Sequence, residues 1–114
     1  GSMLIFPLKK EWYEKIRSGE KTIEYREVKP YWQSRVYNEM GFFPEQTQII
    51  KPAPCKLRLG YTSKYMIANI TKIEIVDGKD TDLHIDKPVY AIHLANVCEQ
   101  KFWNLSTGEH NLFE

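Results

Sequence analysis

The chain has few residues of the kinds that build cross-links and metal sites. It contains only two cysteines and three histidines in 114 residues. Cys55 and Cys98 are far apart in sequence and form no Cys-x-x-Cys pair, so neither a disulfide framework nor a zinc knot is indicated. The histidines are equally scattered, at positions 84, 93 and 110. We therefore expect ordinary thiols, no metal site and no cofactor.

Long apolar runs and a large charge excess are also missing. No apolar stretch approaches the roughly 18 residues that a membrane-spanning helix needs, and the first residues lack the apolar core of a signal peptide. The net charge of +1 excludes a globally basic nucleic-acid binder of the histone kind but not a local basic patch. Gly1-Ser2 before Met3 resembles an expression-tag remnant, so we expect one domain over residues 3–114. The sequence predicts a soluble, cytoplasmic protein without a membrane partner, and it gives no oligomeric state.

The better-known catalytic motifs are absent as well: the chain has no phosphate-binding loop, no dinucleotide glycine fingerprint, no GxSxG and no HExxH. What it has instead is a charged stretch from Ser18 to Arg26, SGEKTIEYR. Helical spacing precedes this stretch and strand-like alternation fills its second half, so the charges follow a helix-to-strand turn. At a strand period of two, we expect Glu24 and Arg26 to face a groove and Ile23 and Tyr25 to point into the core.

The first half of the chain predicts alternating strands and helices, over residues 4–8, 10–18, 22–26 and 30–37. Trp12, Tyr13 and Ile16 form the expected buried stripe of the first helix, and Gly19 ends that helix in the left-handed conformation. Residues 41–54 contain three prolines and lack a clear period. They predict a long loop.

The second half predicts strands over residues 56–61, 66–75 and 89–98. The apolar positions change phase between Ile70 and Ile73, which predicts a bulge or sharp bend near Thr71-Lys72. Pro88 opens the last strand, whose almost continuous apolar run indicates cover on both faces. The aromatic residues of the tail, 101–114, are expected to pack against the rest of the fold.

The charged stretch carries a family resemblance. Its pattern of Gly19, Lys21, Glu24 and Arg26, between an amphipathic helix and a strand, resembles the signature of the ASCH family, whose members have the PUA-like fold. The resemblance covers most of the chain before the tail, including Gly60-Tyr61 after a strand. It implies an α+β fold: a PUA-like small mixed β-barrel flanked by two short helices. It also implies RNA binding in the cleft beside the signature strand.

The predicted ligand is therefore RNA, or a modified nucleobase or nucleoside. Lys21 and Arg26 would donate to phosphates or base edges, and Glu24 would accept from an exocyclic amine or an amide proton. Further cationic and aromatic residues would line the cleft and offer a stacking surface: Tyr31, Trp32, Arg35, Tyr61 and Tyr90. A purely structural alternative is an exposed pair between Glu24 and Arg26, worth less than about 1 kcal/mol.

Two other classes remain open. One is a small hydrolase, a nucleoside amidohydrolase or a ribonuclease, with Lys21 and Glu24 as catalytic residues. The resemblance implies, for amidohydrolases of this fold, a lysine base that activates a threonine and a glutamate from a later segment. Glu24 stands where those enzymes have threonine, and the acidic segment after Val76 has no matching glutamate. In a ribonuclease, Lys21, Arg26 and Tyr31 would take the catalytic roles. The other class is a protein-interaction module that binds a peptide in the same cleft.

Overall fold

The computed structural model describes residues 3–44, 48–104 and 109–112. In this part of the chain it shows an α+β fold, a curled five-stranded mixed sheet that forms a half-barrel, with two α-helices. The predicted α+β class and the two helices are confirmed. The elements are β1 Leu4–Leu8, α1 Lys10–Arg17, β2 Ile23–Glu27, α2 Pro30–Met40, β3 Gln48–Leu59, β4 Tyr65–Asp77, a 3-10 turn Gly78–Asp80, β5 Pro88–Glu99, β6 Lys101–Asn104 and β7 Glu109–Leu112.

The order of the strands in the main sheet is β1-β3-β4-β5-β2. β1 runs parallel to β3, and every other pair in this sheet is antiparallel. The two N-terminal strands therefore form the two edges of the half-barrel, although they are separated in sequence by only one helix. They run in opposite directions across the opening.

The core fills the concave side of the sheet. Both helices contribute to it, α1 through Tyr13 and Ile16 and α2 through Trp32 and Val36, all of which are buried. Their spacing of three or four residues puts each pair on one helix face, as an amphipathic helix requires. Most of the predicted stripe of α1 is thus confirmed, but its third member, Trp12, is only partly buried.

Both helices end at a glycine in the left-handed region, where a residue with a Cβ is strained. Gly19, with φ +86°, follows α1 as predicted. Gly41, with φ +80°, follows α2, which continues to Met40, beyond the predicted end at residue 37.

The predicted loop over residues 41–54 is wrong from residue 48 onward, because β3 begins at Gln48. Its prolines, Pro52 and Pro54, suggested a loop since proline cannot donate to a ladder. β1 pairs with β3 only from Cys55 onward, and the register with β4 shifts between Ile49 and Ala53. Proline is tolerated at such a free edge and at a bulge.

The predicted irregularity in β4 is confirmed. The register of β4 against β5 shifts between Ile70 and Lys72, so that Thr71 is the extra residue. The buried positions change there from even to odd numbers, ending at Ile70 and resuming at Ile73. The bulge keeps both apolar series on the core side.

The last long strand, β5, is also as expected. Residues 89–92 are all buried, so this part of the strand is covered on both faces. A second register shift between β4 and β5 was not predicted. Between the pairs Ile67–Cys98 and Asn69–Ala95, β4 has one residue and β5 has two. This shift places Asn96 at φ +54°, a conformation that asparagine tolerates better than most residues.

The prediction for β2 is wrong about the core, which lies on the face of Glu24 and Arg26 and not on that of Ile23 and Tyr25. Glu24 and Arg26 pair with Ile92 and Tyr90 of β5, which belong to the core, and directly paired residues of antiparallel strands share a face. Glu24 is only 6% exposed, whereas Ile23 and Tyr25 lie on the other face and are partly buried. Alternation correctly grouped these residues but did not say which group faced inward.

In the C-terminal segment, the backbones of β6 and β7 form a separate two-stranded antiparallel sheet. The predicted packing of the tail aromatics lies outside the described residues. No helix in the described part of the chain is long and apolar enough to cross a membrane.

Candidate functional site

A cleft of about 430 Å³ opens beside β2, at the edge of the half-barrel. It is built where chain segments change direction: the β1–α1 and β2–α2 junctions, the turn before β2, and the loop after the 3-10 turn. The residues that line it are Pro7, Leu8, Lys9, Trp12, Lys21, Glu24, Tyr25, Arg26, Glu27, Lys29, Trp32, Asp82, Leu83 and Ile85.

Glu24 is the buried acid of the cleft. Its Oε2 accepts from Arg26 twice, from Nε at 3.1 Å and from Nη2 at 2.6 Å. Its Oε1 lies 3.6 Å from the Nζ of Lys21. Two cations therefore compensate a carboxylate that burial alone would disfavour. Oε1 has no short hydrogen bond to a described residue and keeps acceptor capacity toward a ligand.

Lys21 reaches the cleft because of the turn at Gly19. The backbone N–H of Gly19 donates to Ile16, and that of Lys21 donates to Lys15, which fixes the chain as it leaves α1. The Lys21 side chain is 10% exposed and forms ion pairs with Glu24 and Asp82.

Aromatic rings flank the same ammonium group. Its Nζ lies 5.3 Å from the ring centre of Trp12 and 4.9 Å from that of Tyr25. Both distances fall within the range of cation–π attraction. Lys21 is thus held by two carboxylates and two rings in one wall of the cleft.

Arg26 connects the two edges of the half-barrel. Its Nη2 donates to the carbonyl of Pro7 in β1 at 2.7 Å while it also bonds to Glu24. The guanidinium lies 5.0 Å from the ring centre of Trp32 and 5.4 Å from that of Phe6. One side chain therefore joins β1, β2 and the aromatic core at the opening.

Asp82 comes from the loop between β4 and β5, which Gly78 holds in place. The Gly78 N–H donates to Lys87, and its carbonyl accepts from the backbone N–H of Ile85 and the hydroxyl of Thr81. A Cβ on Gly78 would lie 2.7 Å from two backbone oxygens. The closure of this loop therefore depends on glycine, and it brings Asp82 to Lys21.

The environment of Tyr25 keeps its hydroxyl protonated. Partial burial, followed by the negative charges of Asp82 and Glu74, raises the pKa of Tyr25 above its ordinary value. A tyrosine is already neutral at pH 7, and the raised pKa keeps the donor proton on this phenol at more alkaline pH.

The charges of the cleft are unevenly matched. Its acids, Glu24, Glu27 and Asp82, each have a cation partner, since Glu27 pairs with Lys87 at 3.4 Å. By contrast, Lys9 and Lys29 line the cleft, are exposed, and have no ion-pair partner among the described residues.

Of the eight residues predicted to bind ligand, four line the cleft: Lys21, Glu24, Arg26 and Trp32. Trp32 is 6% exposed and stacks on Phe6 at 5.3 Å, so most of its ring surface is already in use.

The other four do not line this cleft. Arg35 stacks on Tyr31, with its guanidinium 3.4 Å from the ring centre, and both residues are exposed on α2. Tyr61 is 87% exposed in the turn after β3. Tyr90 is a core residue at 2% exposure, and burial raises the pKa of its phenol. Helix and strand spacing alone could not show that these four side chains do not line the cleft.

Sequence interpretation also missed several residues of the cleft. Trp12 was assigned to the buried stripe of α1, Tyr25 to the core, and Asp82 to an acidic loop without a role. An available signal was the uneven distribution of charge along the chain. Cations are concentrated in the first third, whereas aspartates are concentrated in the segment after Val76. The exact pairing of Lys21 with Asp82, 61 residues apart, depends on the fold.

The chemistry available here is mainly hydrogen bonding. The ammonium of Lys21 is paired with Glu24 and Asp82 and so acts as a donor in this arrangement. The described residues that line the cleft include no serine, threonine or cysteine. In the described part of the chain, no three His, Cys, Asp or Glu residues are grouped as metal ligands.

Comparison of the chain with protein-family models, with curated proteins and with solved structures found no significant match to any of them.

Proposed function

We propose that the cleft binds a nucleobase, presented by RNA or by a modified nucleoside, in an ASCH-type, PUA-like fold. The observation that carries this proposal is the buried Glu24, with its two cations, in the wall of an open cleft flanked by aromatic rings. Concave sites with a few convergent polar groups are typical of small-molecule recognition.

The pairing of the charges favours a base over a simple anion. Lys21 and Arg26 already have carboxylate partners, so the inner cleft presents donors and acceptors side by side. A base edge also carries donors and acceptors side by side. Glu24 would accept from an exocyclic amine or ring N–H, and Lys21 would donate to a ring nitrogen or carbonyl.

Of the two tryptophans that line the cleft, the partly exposed Trp12 is the better stacking surface, because Trp32 is nearly covered. Stacking of a base on an aromatic side chain contributes about 1–3 kcal/mol. This contribution is independent of base identity, whereas the contacts of Glu24 would select among bases.

The test is calorimetric titration with adenosine, guanosine, cytidine, uridine and N4-acetylcytidine. We expect binding of at least one nucleoside. Trp12→Leu should weaken it roughly 5- to 150-fold, the range of a lost stacking contact. Tyr61→Leu, which changes a ring away from the cleft, is the matched control. Absence of binding to every nucleoside and to single-stranded RNA would refute the proposal, and binding of a peptide instead would favour the interaction-module alternative.

The contact between Lys21 and Asp82 is an observation that favours the hydrolase alternative, since it brings a second acid from a later segment to the signature lysine. Incubation with N4-acetylcytidine and with single-stranded RNA separates the two functions. As a binder, the protein should release no acetate and no RNA fragments. If the parent protein shows turnover, and Glu24→Gln loses it while retaining affinity for the substrate, the hydrolase function would replace the proposed binding function.

A further inference from the structure

We infer that the base held in this cleft carries phosphate, and that Lys9 and Lys29 bind it. This inference rests on the proposed function and names the ligand class more narrowly. Lys9 and Lys29 are the exposed lysines of the cleft without a carboxylate partner in the described residues, whereas Lys21 is paired with Glu24 and Asp82. The uncompensated positive charge of the cleft is therefore at these two positions.

Both lysines follow edge strands of the half-barrel. Lys9 follows β1 and Lys29 follows β2, and both line the same cleft. The bond from Arg26 to the carbonyl of Pro7 joins these two strands. Each lysine is thus close in sequence to one end of this bond, Lys9 to Pro7 and Lys29 to Arg26.

A nucleotide inside a single strand has one phosphate on each side of its base, and a free mononucleotide has one. Phosphate is the shared chemistry of both sources. Two unpaired lysines in one cleft match the strand, because each can neutralise one backbone phosphate.

Neither lysine performs a structural task that a substitution would remove. Each precedes a helix, but neither side chain hydrogen-bonds to the helix end. Lys9→Gln and Lys29→Gln should therefore leave the fold intact, which circular dichroism can verify. Lys10→Gln and Lys51→Gln each remove one exposed lysine outside the cleft and serve as the charge-matched control variants.

The experiment compares three probes at low salt: the nucleoside that binds, its 5′-monophosphate, and an RNA trinucleotide with that base in the centre. For the parent protein, we expect affinity to rise roughly tenfold with each phosphate. Lys9→Gln and Lys29→Gln should each abolish one of these tenfold gains in affinity and leave the affinity for the nucleoside unchanged. For the trinucleotide, each substitution should reduce the slope of log K against log salt by about 0.7.

The outcomes separate this inference from the proposed function. Equal affinity of the parent for all three probes, or equal losses in the control variants, would overturn the phosphate site and leave the nucleobase site standing. A gain with the monophosphate but none with the trinucleotide would support phosphate binding and assign it to a free nucleotide. Failure of all three probes to bind would refute the proposed function, and the phosphate site with it.

Discussion

At the scale of single residues, Glu24 combines burial with charge. Removing a carboxylate from a buried ion pair leaves its partners uncompensated, which costs more than the pair itself contributes. The Lys21 and Arg26 side chains, 10% and 18% exposed, would lose their shared acid. Lys21 would keep Asp82, so the larger effect should fall on Arg26.

We therefore expect Glu24→Gln, which keeps the side-chain shape, to lower the free energy of unfolding by about 3 kcal/mol. The control is Asp82→Asn. Asp82 is 35% exposed, so its loss should cost about 1 kcal/mol or less. Urea unfolding of the three proteins measures both changes. A Glu24→Gln protein as stable as the parent would show that the acid is not needed to hold the two cations.

Tyr13 shows the opposite situation, a buried polar atom without a partner. Its hydroxyl has no hydrogen bond to any described residue, and burial, with the nearby charge of Glu99, raises its pKa to about 12. In the unfolded chain the phenol titrates near pH 10, so above that pH the unfolded state loses its proton first. Stability contributed by the neutral phenol is complete below pH 10 and is lost as the pH rises toward 12.

Tyr13→Phe should consequently leave stability at pH 7 within about 0.5 kcal/mol of the parent, because no hydrogen bond is broken. Between pH 9 and 11 the variant should lose less stability than the parent, and the difference should grow with pH. Unfolding curves at several pH values measure this difference. Tyr61→Phe, at an exposed ring, should follow the parent, and parallel curves for Tyr13→Phe and the parent would contradict the assignment.

At the scale of elements, the turn at Gly19 links α1 to the site. No atom lies within 4 Å of a Cβ placed on Gly19, so any cost of substitution comes from its positive φ alone. Gly19→Ala should lower stability by about 1–2 kcal/mol, and Gly19→Asn by less, since asparagine visits the left-handed region more readily. Thermal unfolding compares the two. Equal losses would point to displacement of Lys21 instead of backbone strain.

The individual elements show which sequence signals were sufficient. β1, α1 and the Thr71 bulge follow from local apolar periodicity and were predicted closely. The first half of β3 was missed because Pro52 and Pro54 are acceptable only at a free edge and a bulge, and strand order determines which edge is free. Glu24 and Arg26 line a cleft as predicted, but the core was placed on the wrong face of β2 for a related reason. Alternation defines two faces, but only the neighbouring strand decides which face is buried.

At the scale of the whole molecule, the two thiols should differ in when they can react with a thiol reagent. Cys98 is exposed, whereas Cys55 lies in the core where β1, β3 and β4 meet, and burial raises its pKa to about 12. Because the thiolate is the reactive form, Cys55 should be inert in the folded protein.

In a Cys98→Ser protein, we expect Cys55 to react with a thiol reagent only through global unfolding. The free energy obtained from its labelling rate should match that from urea unfolding within about 1 kcal/mol. The parent protein, with both thiols, should show one fast and one slow reaction. Fast labelling of Cys55 would show instead that the β1 edge opens by itself.

The site was only partly predictable at this scale. The charged residues Lys21, Glu24 and Arg26 are close in sequence, and a local pattern was enough to single them out. Trp12, Asp82 and the two unpaired lysines come from separate segments that only the tertiary fold brings to the same cleft. Their roles depend on distances in space, which the spacing of residues along the chain does not determine.

The strand order also governs when this site can exist during synthesis of the protein. The neighbour of β2 in the main sheet is β5, and Arg26 pairs with Tyr90, which leaves the ribosome much later. Until β5 has emerged, the charged stretch has no neighbouring strand to pair with, even though its sequence is complete early. Such long-range closure slows folding. A nascent chain that ends before β5 therefore carries Lys21, Glu24 and Arg26 but not the cleft that they line in the folded protein.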